Sequence, residues 1–446
     1  MTKFTKVIKR NGATVDFNPG RIANVIYRAA VAVGGRDKQK AEKLAKYVIK
    51  YMEEKYPDGY TPHVEEVQDA IEKILIEHGH AKVAKEFILY REERIRKRDE
   101  EEKHSFKPSE NIPWSKIWHI LGWAVSHDVH TVAALNGRIK KGEFVDLVKV
   151  SEAAYHEDIT FAADLIVERA KNLKMVLITG PSSSGKTTTT IKLEGILKKS
   201  GLKFKALNID NYFFDLEMHP KDEFGDYDFE TPQALDLELI NEQLKQIIDG
   251  KEVMIPFYDF KTGTRRLNNS SFKIAGNEIL LIDSLHGLYP KMTAGIPDER
   301  KFRLYLEPLL QMKGPDDEYI RWTDLRLIRR MLRDSVYRAY NPQQTLEHWH
   351  YVRRSEMRNI FPYINTADYI INSGMPYEVP LYAAKLLKSF EEWEKNYKDN
   401  PLRQDAYLRS ARLYKVLKSV EPVANDSPVP KDSVLREFIG GSIYEY

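Results

Sequence analysis

From Gly180 to Thr188 the chain reads Gly-Pro-Ser-Ser-Ser-Gly-Lys-Thr-Thr. These residue types suit one kind of chemistry. Glycines at both ends, Gly180 and Gly185, with Pro181, Ser182, Ser183 and Ser184 between them, let the backbone turn several N–H groups inward around an anion. A helix starting at Lys186 would add partial positive charge at the same point. Lys186 would reach the β- and γ-phosphates of a nucleotide, and the Thr187 hydroxyl would ligate Mg²⁺. The flanks agree. Met175 to Thr179 is a short apolar run with β-branched residues, read as a buried parallel strand, and Thr188 to Lys199 is amphipathic. Strand, G-x-x-x-x-G-K-T and helix together make a P-loop. ATP with Mg²⁺ is therefore the expected cofactor. Two more apolar runs, Phe204 to Ile209 and Ile279 to Ile282, end in Asp210 and Asp283. In a parallel sheet both carboxylates would lie at carboxyl ends of strands, where ligands bind.

Positioning such groups requires strands alternating with helices. Phe302 to Leu306 and Tyr369 to Ile371 are further short strand candidates, with helical segments between. The expected fold class is α/β, a doubly wound parallel sheet. The chain has 446 residues, which suggests two to four domains. A net charge of +3 gives no reason to expect a nucleic-acid partner, and the absence of cysteine excludes disulfides, zinc thiolates and cysteine nucleophiles. The most apolar long stretch, Ile117 to Leu135, is interrupted by His119, His127, Asp128 and His130, so no membrane span is expected. With an N-terminus lacking the apolar core of a secretion signal, this makes a soluble cytoplasmic protein the expectation. His119, His127, His130 and His156 follow no metal-site spacing.

The first part of the chain forms its own unit. Lys6 to Arg10 and Ala13 to Phe17, joined by Asn11-Gly12, read as a hairpin with a type I′ turn. Asn18-Pro19 caps a first helix whose inner face is Ile22, Val25, Ile26, Ala29, Ala30 and Val33. A second helix covers Lys38 to Tyr56. A third starts at the cap Thr61-Pro62, and a fourth runs from about Ala81 into the charged run up to Lys103. Val7 to Gly12, Phe17, Arg21-Ile22, Val83-Ala84 and Ile88 to Arg91 resemble the ATP-cone, a small, mostly helical regulatory nucleotide-binding domain. The resemblance implies that Lys9, Arg10, Asn11 and Gly12 line an adenine-nucleotide site, with Arg21 where that family usually has lysine. A tight turn flanked by two cations can hold a triphosphate.

Residues from Met175 onward resemble the uridine kinase/phosphoribulokinase family. Beyond the P-loop, the matching segments are Asp210-Asn-Tyr-Phe, Phe229-Glu-Thr-Pro-Gln-Ala234, Pro256-Phe-Tyr-Asp-Phe260 with Arg265, Asp324 to Asp334, and Ala367-Asp368. The resemblance implies a P-loop kinase core in which Asp210 is the general base and Asp283 has a metal or water-mediated role where the family carries glutamate. It also implies that Glu230 and Tyr258 line the substrate, with Arg265 nearby. Arg326, Arg330 and Arg333, at i, i+4 and i+7, would share one helix face, from which an arginine-rich lid, with Arg338 beyond, could clamp phosphates. Phosphoryl transfer to an alcohol needs these parts: a proton acceptor, a bridging metal and cations on the migrating group. Three departures fall on the nucleobase side. Gly263 stands where uridine kinases carry histidine, Tyr340 where they carry arginine, and His348 where they carry glutamine.

The expected organisation is therefore residues 1–103 as an ATP-cone, 104–172 as a helical linker region, 173–390 as the kinase domain, and 391–446 as a helical extension with a docked tail. The expected activity is transfer of the γ-phosphoryl of ATP to a hydroxyl of a uridine- or cytidine-like nucleoside, regulated by an adenine nucleotide. A sugar phosphate or other small alcohol as acceptor, or a nucleotide sensor without turnover, stays open. So does association between copies of the chain.

Overall fold

The computed structural model describes residues 2–9, 14–88, 112–219, 230–337, 341–400 and 403–445. It divides into two compact units, Met1–Ile112 and Pro113–Tyr446.

In the first unit β1 (Lys6–Ile8) pairs antiparallel with β2 (Thr14–Asp16), Val7 opposite Val15. The expected turn at Asn11-Gly12 lies outside the described residues. Asn18 caps α1 (Pro19–Ala32) by accepting from the Gly20 N–H, and Asp37 caps α2 (Lys38–Lys55) through the Lys40 N–H. The third helix starts later than expected. Its cap is His63 rather than Thr61, because Glu66 reaches back to the His63 N–H at 2.7 Å while His63 Nδ1 accepts from Glu65, closing a capping box before α3 (Val64–Glu77). Residues 81–88 form α4, and its continuation lies outside the described residues. Ile22, Ile26, Val48, Met52, Ile71, Leu75 and Phe87 close the core.

The second unit is α/β. Its five-stranded parallel sheet has the order β4-β7-β3-β8-β9. The strands are β3 (Met175–Thr179), β4 (Lys203–Asn208), β7 (Glu278–Ser284), β8 (Lys301–Glu307) and β9 (Tyr369–Asn372). β3 is buried throughout, as a central parallel strand covered on both faces must be. Preceding it, α5 (Trp114–Ser126), α6 (Val132–Lys140) and α7 (Phe144–Arg169) supply Leu135, Leu147, Ile159 and Ile166 to the same core as Val176 and Ile178. The apolar composition of α5 does not translate into burial along its length. Only Ile120 and Ala124, one turn apart, are buried there, and Trp118 is 76% exposed. Next come α8 (Lys186–Lys199) and α9 (Leu237–Ile248), which leads to an antiparallel hairpin of β5 (Val253–Asp259) and β6 (Thr264–Phe272). The hairpin's register slips at Pro256, which has no N–H to donate. After β8 come α10 (Trp322–Tyr337) and α11 (Pro342–Asn359); after β9 come α12 (Glu378–Tyr397), α13 (Gln404–Ser419) and the single turn α14 (Arg436–Ile439). Among the described residues no helix is long and apolar enough to cross a membrane.

Candidate active site

The loop after β3 can be built only as it is spelled. A Cβ on Gly180 would lie 2.4 Å from the Leu306 carbonyl oxygen. Gly185 has φ +90, and a Cβ there would lie 2.5 Å from a Val434 methyl. Ser183 also takes a positive φ of 61, a strained conformation of the kind that collects at binding loops. Lys186 opens α8 and folds back over the loop, donating to Gly180 O at 2.8 Å and Pro181 O at 3.3 Å. Burial lowers the pKa of this ammonium, while Asp283 and Glu437 pull it back up. Thr187 is exposed and Thr188 is buried.

Sheet register brings the two carboxylates to the loop. Ile178 of β3 pairs with Asp283 of β7, and Asp283 in turn pairs with Asn208 of β4, two residues before Asp210. Asp210 lies in the 3-10 turn Ile209–Tyr212, its N–H held by the Asn208 side chain at 2.9 Å. Its carboxyl lies in a recess that stays open to water. The surrounding protein raises its pKa, and Lys186 opposes the rise. Asp283 is more enclosed. Burial pushes it up to about 6, Glu437 and Asp210 adding and Lys186 subtracting. A strand-end carboxylate raised by burial despite Lys186, with a hydroxyl residue exposed at the start of α8, suits a hard ion that takes oxygen ligands and keeps several waters. Among the described residues no cluster of three or more metal-binding side chains is present.

The acceptor side is aromatic. Tyr258 on β5 is buried and packs against Phe213, His219 and Phe260 with ring centroids 5.0 to 6.1 Å apart. Its hydroxyl is buried without a hydrogen-bond partner among the described residues. The Asn211 side chain ties the Tyr258 N–H to the Asp210 turn at 3.3 Å. Glu230 lies 3.8 Å from Arg330 Nη1, which also donates to Ser182 Oγ at 2.7 Å. Arg333 Nη1 is 3.7 Å from Glu437 Oε1. Arg265, on β6, is engaged within the protein. It is committed to Asp236, the α9 cap, at 2.9 Å and lies over the Phe214 ring.

The expected lid role of Arg326 is corrected. Its side chain is fully buried, bonded to Glu307 at 2.7 Å, to both oxygens of Glu356, and to the Ser182 carbonyl at 3.1 Å. It anchors α10 to the P-loop and cannot swing, because leaving would strand two buried carboxylates. Arg338 and Tyr340 lie outside the described residues, as do Arg10, Asn11 and Gly12. Lys9 and Arg21 are described, and both are exposed in the first unit. The sequence reading passed over Glu437, 249 residues from Thr188, and His286, which is buried just after β7. Burial holds His286 neutral, down to about 3. The run Asp283-Ser-Leu-His286 was the available signal for the second. A cavity of about 820 Å³ bounded by Trp114, Lys116, Phe161 and Tyr369 is lined by none of the catalytic candidates.

Residues 175–379 match the model of the phosphoribulokinase/uridine kinase family, and residues 5–96 match that of the ATP cone domain. The chain carries a kinase domain of the first family and an ATP-cone of the second. A uridine kinase of Deinococcus deserti is 27% identical to the chain over 198 residues, 44% of this chain and 86% of the relative. A uridine kinase of Borrelia duttonii is 28% identical over 219 residues, 49% of this chain and 94% of the relative. A solved structure described as a possible uridine kinase from Bacillus stearothermophilus shares 20% identity and covers 38% of this chain and 90% of its own, with a TM-score of 0.29. The match over residues 175–379 is to a family of phosphotransferases.

Proposed function

We propose that the protein transfers the γ-phosphoryl of ATP to a hydroxyl of a nucleoside, with Mg²⁺ as the metal and an adenine nucleotide on the ATP-cone as regulator, in the cytoplasm. The observation that supports this best is the register that sets Asp283 and Asp210 beside Lys186 at one end of the sheet. In this reading the loop N–H groups and Lys186 hold the β- and γ-phosphates, and Asp210 takes the proton of the attacking hydroxyl. Its raised pKa keeps it a stronger base than an ordinary carboxylate. Glu230 and Tyr258 orient the acceptor. Arg330 and Arg333 offset charge on the migrating group, which is the largest demand of phosphoryl transfer. Thr187 and Asp283 would hold Mg²⁺, which when bound would supply positive charge to the phosphates. On the ATP-cone, Lys9, Arg10, Asn11, Gly12 and Arg21 would form the regulatory site.

A second reading, a sugar phosphate as acceptor, is favoured by Arg330, which sets a cation between Ser182 and the acceptor-side Glu230. Gly263 adds to it. A side chain there would collide with Leu216, its Cβ 2.8 Å from that residue's, so the base-contacting histidine of uridine kinases has no room in this arrangement. Nucleosides and sugar phosphates, each incubated with Mg-ATP while ADP release is measured, separate the two. Turnover of a nucleoside, falling ~10²–10⁴-fold in Asp210→Asn, is the expected result. Turnover of sugar phosphates alone selects the second reading. No acceptor-dependent ADP release with any compound would overturn both.

A further inference from the structure

The segment after α13 lies beyond the residues matched to the kinase family, yet it reaches the P-loop. Val434, Leu435 and Phe438 are fully buried in the main core, and Val434 lies against Gly185. Arg436 fixes the turn by donating to the carbonyls of Asp426 at 2.7 Å and Val429 at 2.9 Å, and Lys192 of α8 pairs with Asp432 at 2.9 Å. This anchoring delivers one side chain to the nucleotide site. Glu437, 3% exposed, accepts from the Thr188 N–H at 3.2 Å and the Thr188 hydroxyl at 2.9 Å through one oxygen. Its other oxygen faces Arg333 at 3.7 Å.

The first N–H groups of a helix have no partner within it, and in a P-loop they are the donors that hold phosphate oxygens. An acid already bonded to one of them, and neutralising an arginine on the phosphate side, occupies a place where nucleotide charge would go. A carboxylate and a phosphate oxygen cannot both take the Thr188 N–H, and side by side they repel. We propose that Glu437 is a built-in anionic occupant of the P-loop. With the site empty it holds Thr188 and Arg333, and a bound polyphosphate displaces its carboxylate from both by rotation of the side chain, the anchored backbone staying in place. Arg333 is then released to the phosphates in the same event. Nucleotide affinity is reduced by the cost of that displacement. This inference rests on the reading of the P-loop as the ATP site.

The test is calorimetric titration of the full chain, wild type and Glu437→Gln, with ATP and, separately, with inorganic tripolyphosphate. Lys186→Ala identifies any heat that comes from elsewhere in the chain. Removing the charge while keeping the shape should tighten the Lys186-dependent binding of both probes about tenfold. Equal gains for the two would tie the effect to phosphate rather than to the nucleoside. An affinity unchanged within twofold, or weakened, overturns the inference and makes Glu437 a helix cap or a positioning group. Thermal unfolding of Glu437→Gln shows whether the variant is folded; should it unfold, Glu437→Asp, one methylene shorter, must still raise affinity. No Lys186-dependent binding in wild type or variant would overturn the P-loop reading itself, and the inference with it.

Discussion

Arg326 and Arg329 share α10 with Arg330 and Arg333, within two turns of one helix, yet the two pairs live in different dielectric worlds. The first two are fully buried, each clasped by carboxylates: Arg326 by Glu307 and Glu356, Arg329 by Glu378 at 2.8 and 3.0 Å. Burial alone would push the Glu356 carboxyl up, but Arg326 and Arg353 outweigh it and hold it below its ordinary range. The second two keep 24% and 18% of their side chains exposed: Arg330 lies on the loop, on Glu230 and on Asp334 at 3.0 Å, and Arg333 faces Glu437. The same residue type thus serves as frame in one place and as site in the other. What separates them is the exposure of the guanidinium: both pairs meet buried acids, but only Arg330 and Arg333 keep part of their surface in water, where a phosphate could take it.

The largest effect expected from this difference is on stability. Arg329→Met should leave Glu378 buried without its cation and cost ~3–5 kcal/mol. All six tryptophans lie between Trp114 and Trp393, so the intrinsic fluorescence of the full chain reports denaturant unfolding of the second unit. Adding Glu378→Gln should recover much of the loss, since the amide oxygen can still accept from the Met375 N–H, the NH2 can donate to the Tyr382 hydroxyl, and the unpaired charge is gone. A midpoint unchanged in the single variant would break the comparison from the frame side.

The next effect is kinetic. Arg330→Met should lower kcat/KM on the best acceptor by ~10²-fold, with a smaller fall of the fluorescence midpoint than in Arg329→Met, because its buried partner Asp334 keeps the Thr345 hydroxyl. A variant that unfolds as early as Arg329→Met, while keeping activity within a few-fold, would show that Arg330 also belongs to the frame.

The P-loop and the strand-end carboxylates were legible because their signal is local. Glycine geometry, a buried run and an acid at its end all sit within a few residues. The arginine pairs were not, because Glu307, Glu356 and Glu378 are 19, 30 and 49 residues from their partners, and helical periodicity carries no information on which acid folds against which face. That is why Arg326 read as part of a lid. The β5–β6 hairpin was missed for a different reason. Nearly all of β6 is exposed or half-buried, so it shows no alternation of apolar and polar residues to mark a strand. Glu437 was beyond reach for both reasons: it lies far along the chain, in a tail whose composition marks only that it docks.

The smallest effect concerns a recessed acid with no arginine clasped to it. Asp283 is raised to about 6 chiefly by burial, with two carboxylates nearby and only Lys186 opposing. Since the folded value lies above that of an unfolded aspartate, near 4, the protonated form favours folding. The contribution is complete below about pH 4 and is lost as pH climbs through about 6. In the absence of nucleotide and metal, the stability of wild type relative to Asp283→Asn should therefore fall across this window of about two pH units. The amide has no proton to lose and supplies the flat reference. Mg-ATP should weaken or abolish the fall, because a cation at Asp283 favours the ionised form. Glu356 makes the opposite case within the same unit, its carboxyl held down by Arg326 and Arg353. A stability difference between wild type and the Asp283→Asn variant that stays level across that window would mean that Asp283 has found a counter-charge, and that the active site is built like the frame.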